Sequence, residues 1–311
     1  MENKALLGNI HSSGQLLLTL GMALFILMIT AFAAALLAIP FVDRGIFQLF
    51  ESLDPMVSDD MNLLRYLQII SHIGMFIIPS FLLAWLFGRK ILAYLYLDNM
   101  PGGKMLFMSV LLIFVAVPLI NYIMELNAQM HFPESLRGVE DWMRRYEETA
   151  ERTTIAFLSV DTLSGLLFNI FMVAVIPAIG EELMFRGVLL RIFNRWTGSY
   201  HWGVLITAII FSAIHMQFFG FFPRFLLGLL FGYLVVWSGS LWPAIIAHFI
   251  NNAAAVTFFY LFQHQLSDGT FENLGKGNEG MVYALISLVL VFFVMWWVRR
   301  HGKPVKDLQA L

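Results

Sequence analysis

Six residues in the second half of the chain bear groups suited to moving a proton and steadying an anion. They fall into three short patterns: Glu181-Glu182-x-x-x-Arg186, Phe211-x-x-x-His215 and His248-x-x-x-Asn252. If the first stretch continues as a helix, Glu182 and Arg186 stand at i and i+4 in the favourable order for an ion pair. Glu181 then projects about 100° away at roughly 3.6 residues per turn, off the line of that bond. The four-residue spacing of the other patterns puts Phe211 with His215, and His248 with Asn252, on one helical face each. A carboxylate, a His, and a His beside an amide are the parts of water-mediated acyl hydrolysis. The carboxylate draws a proton from water, one His orients that water or returns the proton, and neutral donors steady the oxyanion.

The elements that must position these groups are greasy. Of 311 residues, 59% are hydrophobic and 13% charged, against the roughly 45 to 50% apolar and about 25% charged of a soluble domain. Charge-free stretches run from Leu16 to Ile39, Tyr66 to Gly88, Met105 to Met124, Thr162 to Gly180, His201 to Phe222, Phe225 to Ser267 and Gly280 to Val298. The first is long enough to cross a hydrocarbon core of roughly 30 Å and too long for a signal-peptide core, so it is read as retained. The sixth is too long for one helix and divides at Ser238-Gly239-Ser240-Leu241-Trp242-Pro243, where Pro243 suits the first turn of a new helix. A span from about Phe219 to Trp237 then precedes the break, with Arg224 snorkelling toward an interface. The expectation is an all-α, polytopic bundle of about eight spans. No linker or repeat divides it, so residues 1–311 form a single integral membrane domain with a catalytic region at about 162–262.

Lys and Arg near the span ends give the orientation. Arg89, Lys90 and Lys104 follow span two, and Arg299, Arg300, Lys303 and Lys306 follow the last, whereas the first loop carries Asp43, Glu51, Asp54, Asp59 and Asp60 against Arg44 and Arg65. Both termini are therefore expected in the cytoplasm. The charged stretch from Glu125 to Asp161 suits an amphipathic helix around Trp142, Met143 and Tyr146, lying on the outer surface without a chemical role. Ionisable groups at membrane depth cost about 2.5 to 3.5 kcal/mol each, which makes their clustering between spans four and seven a functional signal. Spans one to three hold no Asp, Glu, Lys or Arg.

Together the three patterns, their order, their placement on successive apolar spans and the Ser240-Leu241-Trp242-Pro243 approach to the last one resemble the signature of the CPBP family. This family of intramembrane proteases includes the type II CAAX prenyl endopeptidases and the bacterial Abi proteins. The likeness covers about Ile176 to Asn252. It implies an eight-helix protease opening toward the cytoplasm, with Glu181 as general base, His215 its partner on the water, and His248 and Asn252 holding the oxyanion. Glu182 and Arg186 would support the site. The partners implied are membrane lipids and a peptide or protein substrate, lipid-modified if the prenyl specificity holds, and a bacterial plasma membrane is the expected location.

Other readings stand beside this one. No metal is assigned, and the alternative is zinc held by Glu181, His215 and His248, since the 0 Cys exclude a thiolate site. Membrane-embedded Glu and His also build the relays of proton-coupled transporters, although no counterpart of the acidic half exists in the first half. A non-catalytic scaffold or immunity protein of the same fold is the third reading. Glu182 with Arg186 also suits a buried structural ion pair, Phe211 is expected to pack, and Asn251-Asn252 suits interhelical glue. His72, with no acidic residue nearby in its own span, is read as a helix–helix hydrogen-bonding group outside the site. Gly228-x-x-x-Gly232 is read as a packing face, and Trp296 and Trp297 as an interfacial belt. A net charge of -2 and no basic run beyond two residues leave no footprint for nucleic acid.

Overall fold

A computed structural model describes residues 5–41, 61–267, 269 and 273–304. The charged positions of the first loop from Asp43 to Asp60, and Lys306 in the tail, lie outside the described residues. Those described form helices and connecting turns, with no strand among them. In chain order the helices are α1 (Ser12–Ala38), α2 (Met61–Gly88), α3 (Ile91–Tyr94), α4 (Gly103–Ala128), α5 (Arg137–Leu158), α6 (Leu163–Thr197), α7 (Tyr200–Ala213), α8 (Phe218–Ser238), α9 (Trp242–Gln263) and α10 (Gly280–His301).

Seven of these, α1, α2, α4, α6, α8, α9 and α10, are long and apolar enough to cross a membrane. The expected fifth span, His201 to Phe222, is where sequence and structure differ. Its helix α7 has 14 residues and stops at Ala213. At about 1.5 Å per residue it reaches about 21 Å, short of a core of roughly 30 Å. The chain leaves it through Met216, a non-glycine residue at φ 55°, before the tight first turn of α8 at Phe218–Gly220. The long fourth span departs in the opposite sense. It does not end at Gly180 but runs on through the glutamate doublet for 35 residues, so Glu181 lies near its middle.

Contacts at the helix ends bring the start of α1 and the close of α10 to the same end of the bundle. Leu7 N donates to Leu86 O at 2.9 Å, and Arg195 Nη1 to Gly8 O at 2.6 Å, tying the approach to α1 to the ends of α2 and α6. Leu241 N donates to Tyr96 O at 2.9 Å and Trp242 Nε1 to Leu97 O at 3.2 Å, bringing the start of α9 beside the segment after α3. Arg299 lies over the Trp237 ring at 5.7 Å. Gly239 turns the chain there at φ 72°, a left-handed value, and a Cβ on it would strike the Lys303 carbonyl.

Water supplies no force between helices in lipid, so cohesion rests on close packing and interhelical bonds. The Gly228-x-x-x-Gly232 face packs as expected: Cβ atoms there would fall 3.0 Å from Ala208 Cβ and 2.8 Å from Val204 Cγ1 of α7. The packed core centres on α2, α4 and α6 to α9, including Leu83, Leu112, Val188, Leu234 and Ala247, while Leu17 and Met28 of α1 and Phe292 and Phe293 of α10 face outward.

Prolines shape the long helices. Pro118 in α4 falls at a break in the backbone ladder, where Ser287 Oγ of α10 donates to Val115 O at 2.5 Å and accepts from Leu119 N at 3.2 Å. Wide π turns occur at Ile73–Ile77 before Pro79, at Phe171–Val175 before Pro177, and at Leu183–Leu189. All three border the polar cluster, which is where such turns tend to gather.

Candidate active site

The doublet lies where α6 passes from a regular helix into its second π turn, and its two carboxylates point to different partners. Glu182 is fully buried and accepts Arg186 Nη1 at 2.7 Å on Oε1, so the i, i+4 pair read from the sequence forms. The same oxygen lies 2.9 Å from His248 Nδ1 on α9. Arg186, also fully buried, gives Nη2 to Gly228 O at 3.1 Å, so one guanidinium joins α6 to α8. Glu182 Oε2 and Arg186 Nε remain buried without a hydrogen bond, which leaves this ion pair incompletely satisfied.

Phe211 is the hub around which these groups pack. Its ring lies 4.6 Å from the Arg186 guanidinium carbon, a cation–π distance, and meets His215 and His248 edge-on at 5.1 and 6.0 Å. The packing reading of this residue fits what it touches. Phe231 stacks on the other side of His248 at 5.3 Å.

Because α7 stops at Ala213, His215 lies in the turn that follows it. Its Nδ1 lies 2.7 Å from Phe211 O. A carbonyl only accepts, so Nδ1 carries the hydrogen and Nε2 holds the lone pair when the ring is neutral. Arg224, expected to snorkel, instead braces the turn after His215 through Gln217 Oε1 at 2.6 Å and Gln217 O at 3.1 Å. From outside, α5 docks on that turn: Glu147 accepts Phe219 N at 2.9 Å, and Arg144 sits 4.3 Å over the Phe219 ring.

Asn252, one turn beyond His248, donates Nδ2 to Val173 O at 3.0 Å. Pro177 has no N–H to return to its i−4 carbonyl, which is Val173, so the proline releases the oxygen that the amide takes. Asn251 Nδ2 donates to Asn252 Oδ1 at 3.0 Å and completes the orientation of that amide.

Glu181 has partners on two other helices. Oε2 stands 3.9 Å from His248 Nε2, and Oε1 stands 3.2 Å from Nε2 of His72 on α2. The sequence reads His72 as a helix–helix bonding group outside the site; the contact is indeed between helices, and its partner is Glu181, one of the expected site residues. The sequence signal was a lone imidazole in an apolar span, and its acid sits on a span more than a hundred positions away. Gly180 makes the approach possible, since a Cβ there would fall 3.1 Å from Phe76 Cβ and 3.6 Å from His72 Cδ2. For the zinc alternative, no group of three His, Asp or Glu side chains among the described residues could hold a metal ion. Glu181 and His248 come together, but His215 does not join them at ligand distance, so the donor set does not fit.

Residues 163–254 match the family model described as type II CAAX prenyl endopeptidase Rce1-like. This segment is Rce1-like. It takes in α6 through the first half of α9, and with them all of the Glu181, Glu182, Arg186, Phe211, His215, His248 and Asn252 constellation. His72 lies outside it. The chain is also 30% identical over 89 residues to the uncharacterized protein YpbD of Bacillus subtilis (strain 168), a match covering 27% of this chain and 42% of that protein. The chain thus spans less than half of that relative. No solved structure matches it.

Proposed function

We propose that the chain is an intramembrane endopeptidase that hydrolyses a peptide bond near the membrane-associated end of a protein or peptide substrate. The observation that carries this reading is the Glu181 carboxylate facing His248 at 3.9 Å within the segment that matches the endopeptidase model.

In this reading a water molecule lies between Glu181 and His215, one hydrogen directed to the carboxylate and the other to His215 Nε2. Its oxygen attacks the peptide carbonyl carbon while Glu181 takes the proton. The carbonyl oxygen becomes an oxyanion, received by the second Nδ2 hydrogen of Asn252, the first being spent on Val173 O, and by His248 Nε2–H in the imidazolium form, whose other hydrogen goes from Nδ1 to Glu182. Collapse breaks the C–N bond, and Glu181 returns its proton to the leaving amine. Glu182, neutralised by Arg186, holds the His248 ring through Nδ1 and so fixes which nitrogen faces the reaction. The donors found at the site are protein groups, and none of these steps passes through a metal.

Arg89, Lys90 and Lys104 after α2 and Arg299, Arg300 and Lys303 at the close of α10 support cytoplasmic termini. A membrane peptide or protein is the substrate class, with prenylated C-termini one subclass, and a bacterial plasma membrane is the proposed location. The test is cleavage of a membrane-peptide library, prenylated Cys-terminated members included, by the purified protein in proteoliposomes, with metal content measured on the same sample. Cleavage lost in Glu181→Gln and His215→Ala, with both variants still folded, supports the assignment. Retained cleavage in Glu181→Gln overturns it.

A further inference from the structure

Glu181 is 6% exposed and sits near the middle of a membrane-length helix, where an unpaired carboxylate is costly. The nearby Arg186 is bound to Glu182 at 2.7 Å. What directly faces Glu181 is His72 at 3.2 Å and His248 at 3.9 Å, and His248 already gives Nδ1 to Glu182. The charged and titratable groups around Glu181 are therefore His72 on α2, Glu182 and Arg186 on its own helix, His215 after α7 and His248 on α9. Among these, His72 makes the shortest contact with the Glu181 carboxylate; His72 Nε2 is buried and otherwise unpaired, and its 3.2 Å approach to Oε1 is an ion-pair contact and not an aligned hydrogen bond.

We propose that His72 is a positioning residue for Glu181: it presents an Nε2 hydrogen to Oε1, keeps the carboxylate ionised at depth, and turns Oε2 toward His248 and the reacting water. The helix that delivers it is adapted to that task. His72 is the last residue before the π turn Ile73–Ile77, and its ring lies 4.7 Å from Phe76. On the facing helix, position 180 carries no side chain and lets α2 come close enough for the contact. The hydrolytic site is then built on four helices, α2, α6, α7 and α9, and one of its polar groups comes from outside the Rce1-like segment. This inference rests on the proposed proteolytic reading for its kinetic consequence but not for its electrostatic one.

The experiment uses the full-length protein in proteoliposomes and two variants. His72→Phe keeps an aromatic ring against Phe76 and removes the donor, while His72→Gln restores an N–H near the Nε2 position. Kinetics are read on the most rapidly cleaved library peptide, and the charge state of Glu181 is read from its infrared carboxyl bands with Glu181→Gln as the spectral blank. The expected result for His72→Phe is a kcat lower by about 10- to 100-fold, the usual loss when a supporting partner is removed, with KM changed less than about twofold. A neutral carboxylic-acid band should appear for Glu181, and His72→Gln should recover most of kcat and remove that band. An unchanged infrared spectrum in His72→Phe overturns the proposal even if no peptide is cleaved. Equal losses in both variants, tracking lost thermal stability, also overturn it, because they mark a packing role. If Glu181→Gln still cleaves peptide while His72→Phe changes the Glu181 band, the proteolytic reading fails and the positioning contact stands.

Discussion

The chain builds the same three-residue arrangement twice, once enclosed between helices and once at the protein surface. Glu182 pairs with Arg186 four residues on and with His248 from another helix. Glu140 on α5 pairs with Arg144 four residues on, at 2.7 Å, and with His131 at 3.0 Å, and it also accepts Phe132 N at 2.9 Å. The difference is surroundings. Arg186 and Glu182 are wholly enclosed, whereas the Arg144 and His131 side chains are 37% and 74% exposed. Screened by water, the outer set does little more than pin a loop to an amphipathic helix. Enclosed, the same groups hold an imidazole by its Nδ1 so that its Nε2 faces a second carboxylate. Burial, more than pair geometry, separates the two sets.

That contrast breaks most visibly in turnover. Glu181→Gln beside the inner set should lower kcat by at least about 100-fold, the loss expected for a general base, while Glu140→Gln should leave it unchanged. An assay of both variants on one cleaved library peptide decides the matter. Next comes stability: Arg186→Met strands the Glu182 carboxylate and should cost about 3 to 5 kcal/mol, whereas Arg144→Met should leave the melting point in detergent unmoved. Equal effects would erase the distinction. A third pair concerns glycines. Gly180→Ala forces a Cβ to within 3.1 Å of Phe76 and Ile77 and should cost about 1 to 3 kcal/mol by overpacking, whereas Gly138→Ala on α5, with open space around it, should stabilise by up to about 1 kcal/mol. Thermal melts of the two measure it.

The smallest effect belongs to the outer set alone. The Phe132 backbone N–H, followed by the Arg144 and His131 side chains, lowers the Glu140 pKa from its ordinary 4.5 to about 2. A lowered carboxyl contributes its stabilisation in full above the ordinary value and loses it as pH falls through the lowered one. The protection factor of the Phe132 amide, the ratio of its intrinsic to its observed exchange rate at each pH, should therefore fall between about pH 4.5 and about pH 2, and Glu140→Gln should abolish that fall.

Much of this architecture is legible in one dimension because its causes are local. Span lengths follow from runs of apolar residues, the Glu182–Arg186 bond from helical period, and the Gly228 and Gly232 packing face from small residues four apart. What escapes the sequence depends on partners distant along the chain. Nothing near His72 announces Glu181, because the α2–α6 contact is made by Gly180. The truncation of α7 is hidden by a run of apolar residues that continues to Phe222, while the helix itself stops at Ala213. The bond from Asn252 to Val173 was half visible: Pro177 marks a freed carbonyl, but only the packing of α9 on α6 says which amide claims it.

The shortness of α7 carries a consequence for where the proposed chemistry happens. Thirteen steps separate Tyr200, at the basic end, from Ala213, where α7 stops, which at about 1.5 Å each sets the turn bearing His215 roughly 20 Å inward. The helix thus serves as a ruler. A peptide reaching the reacting carboxylate must thread to that depth, and adding one helical turn of about 5.4 Å to α7 would move the cut along the substrate by about one to two extended residues.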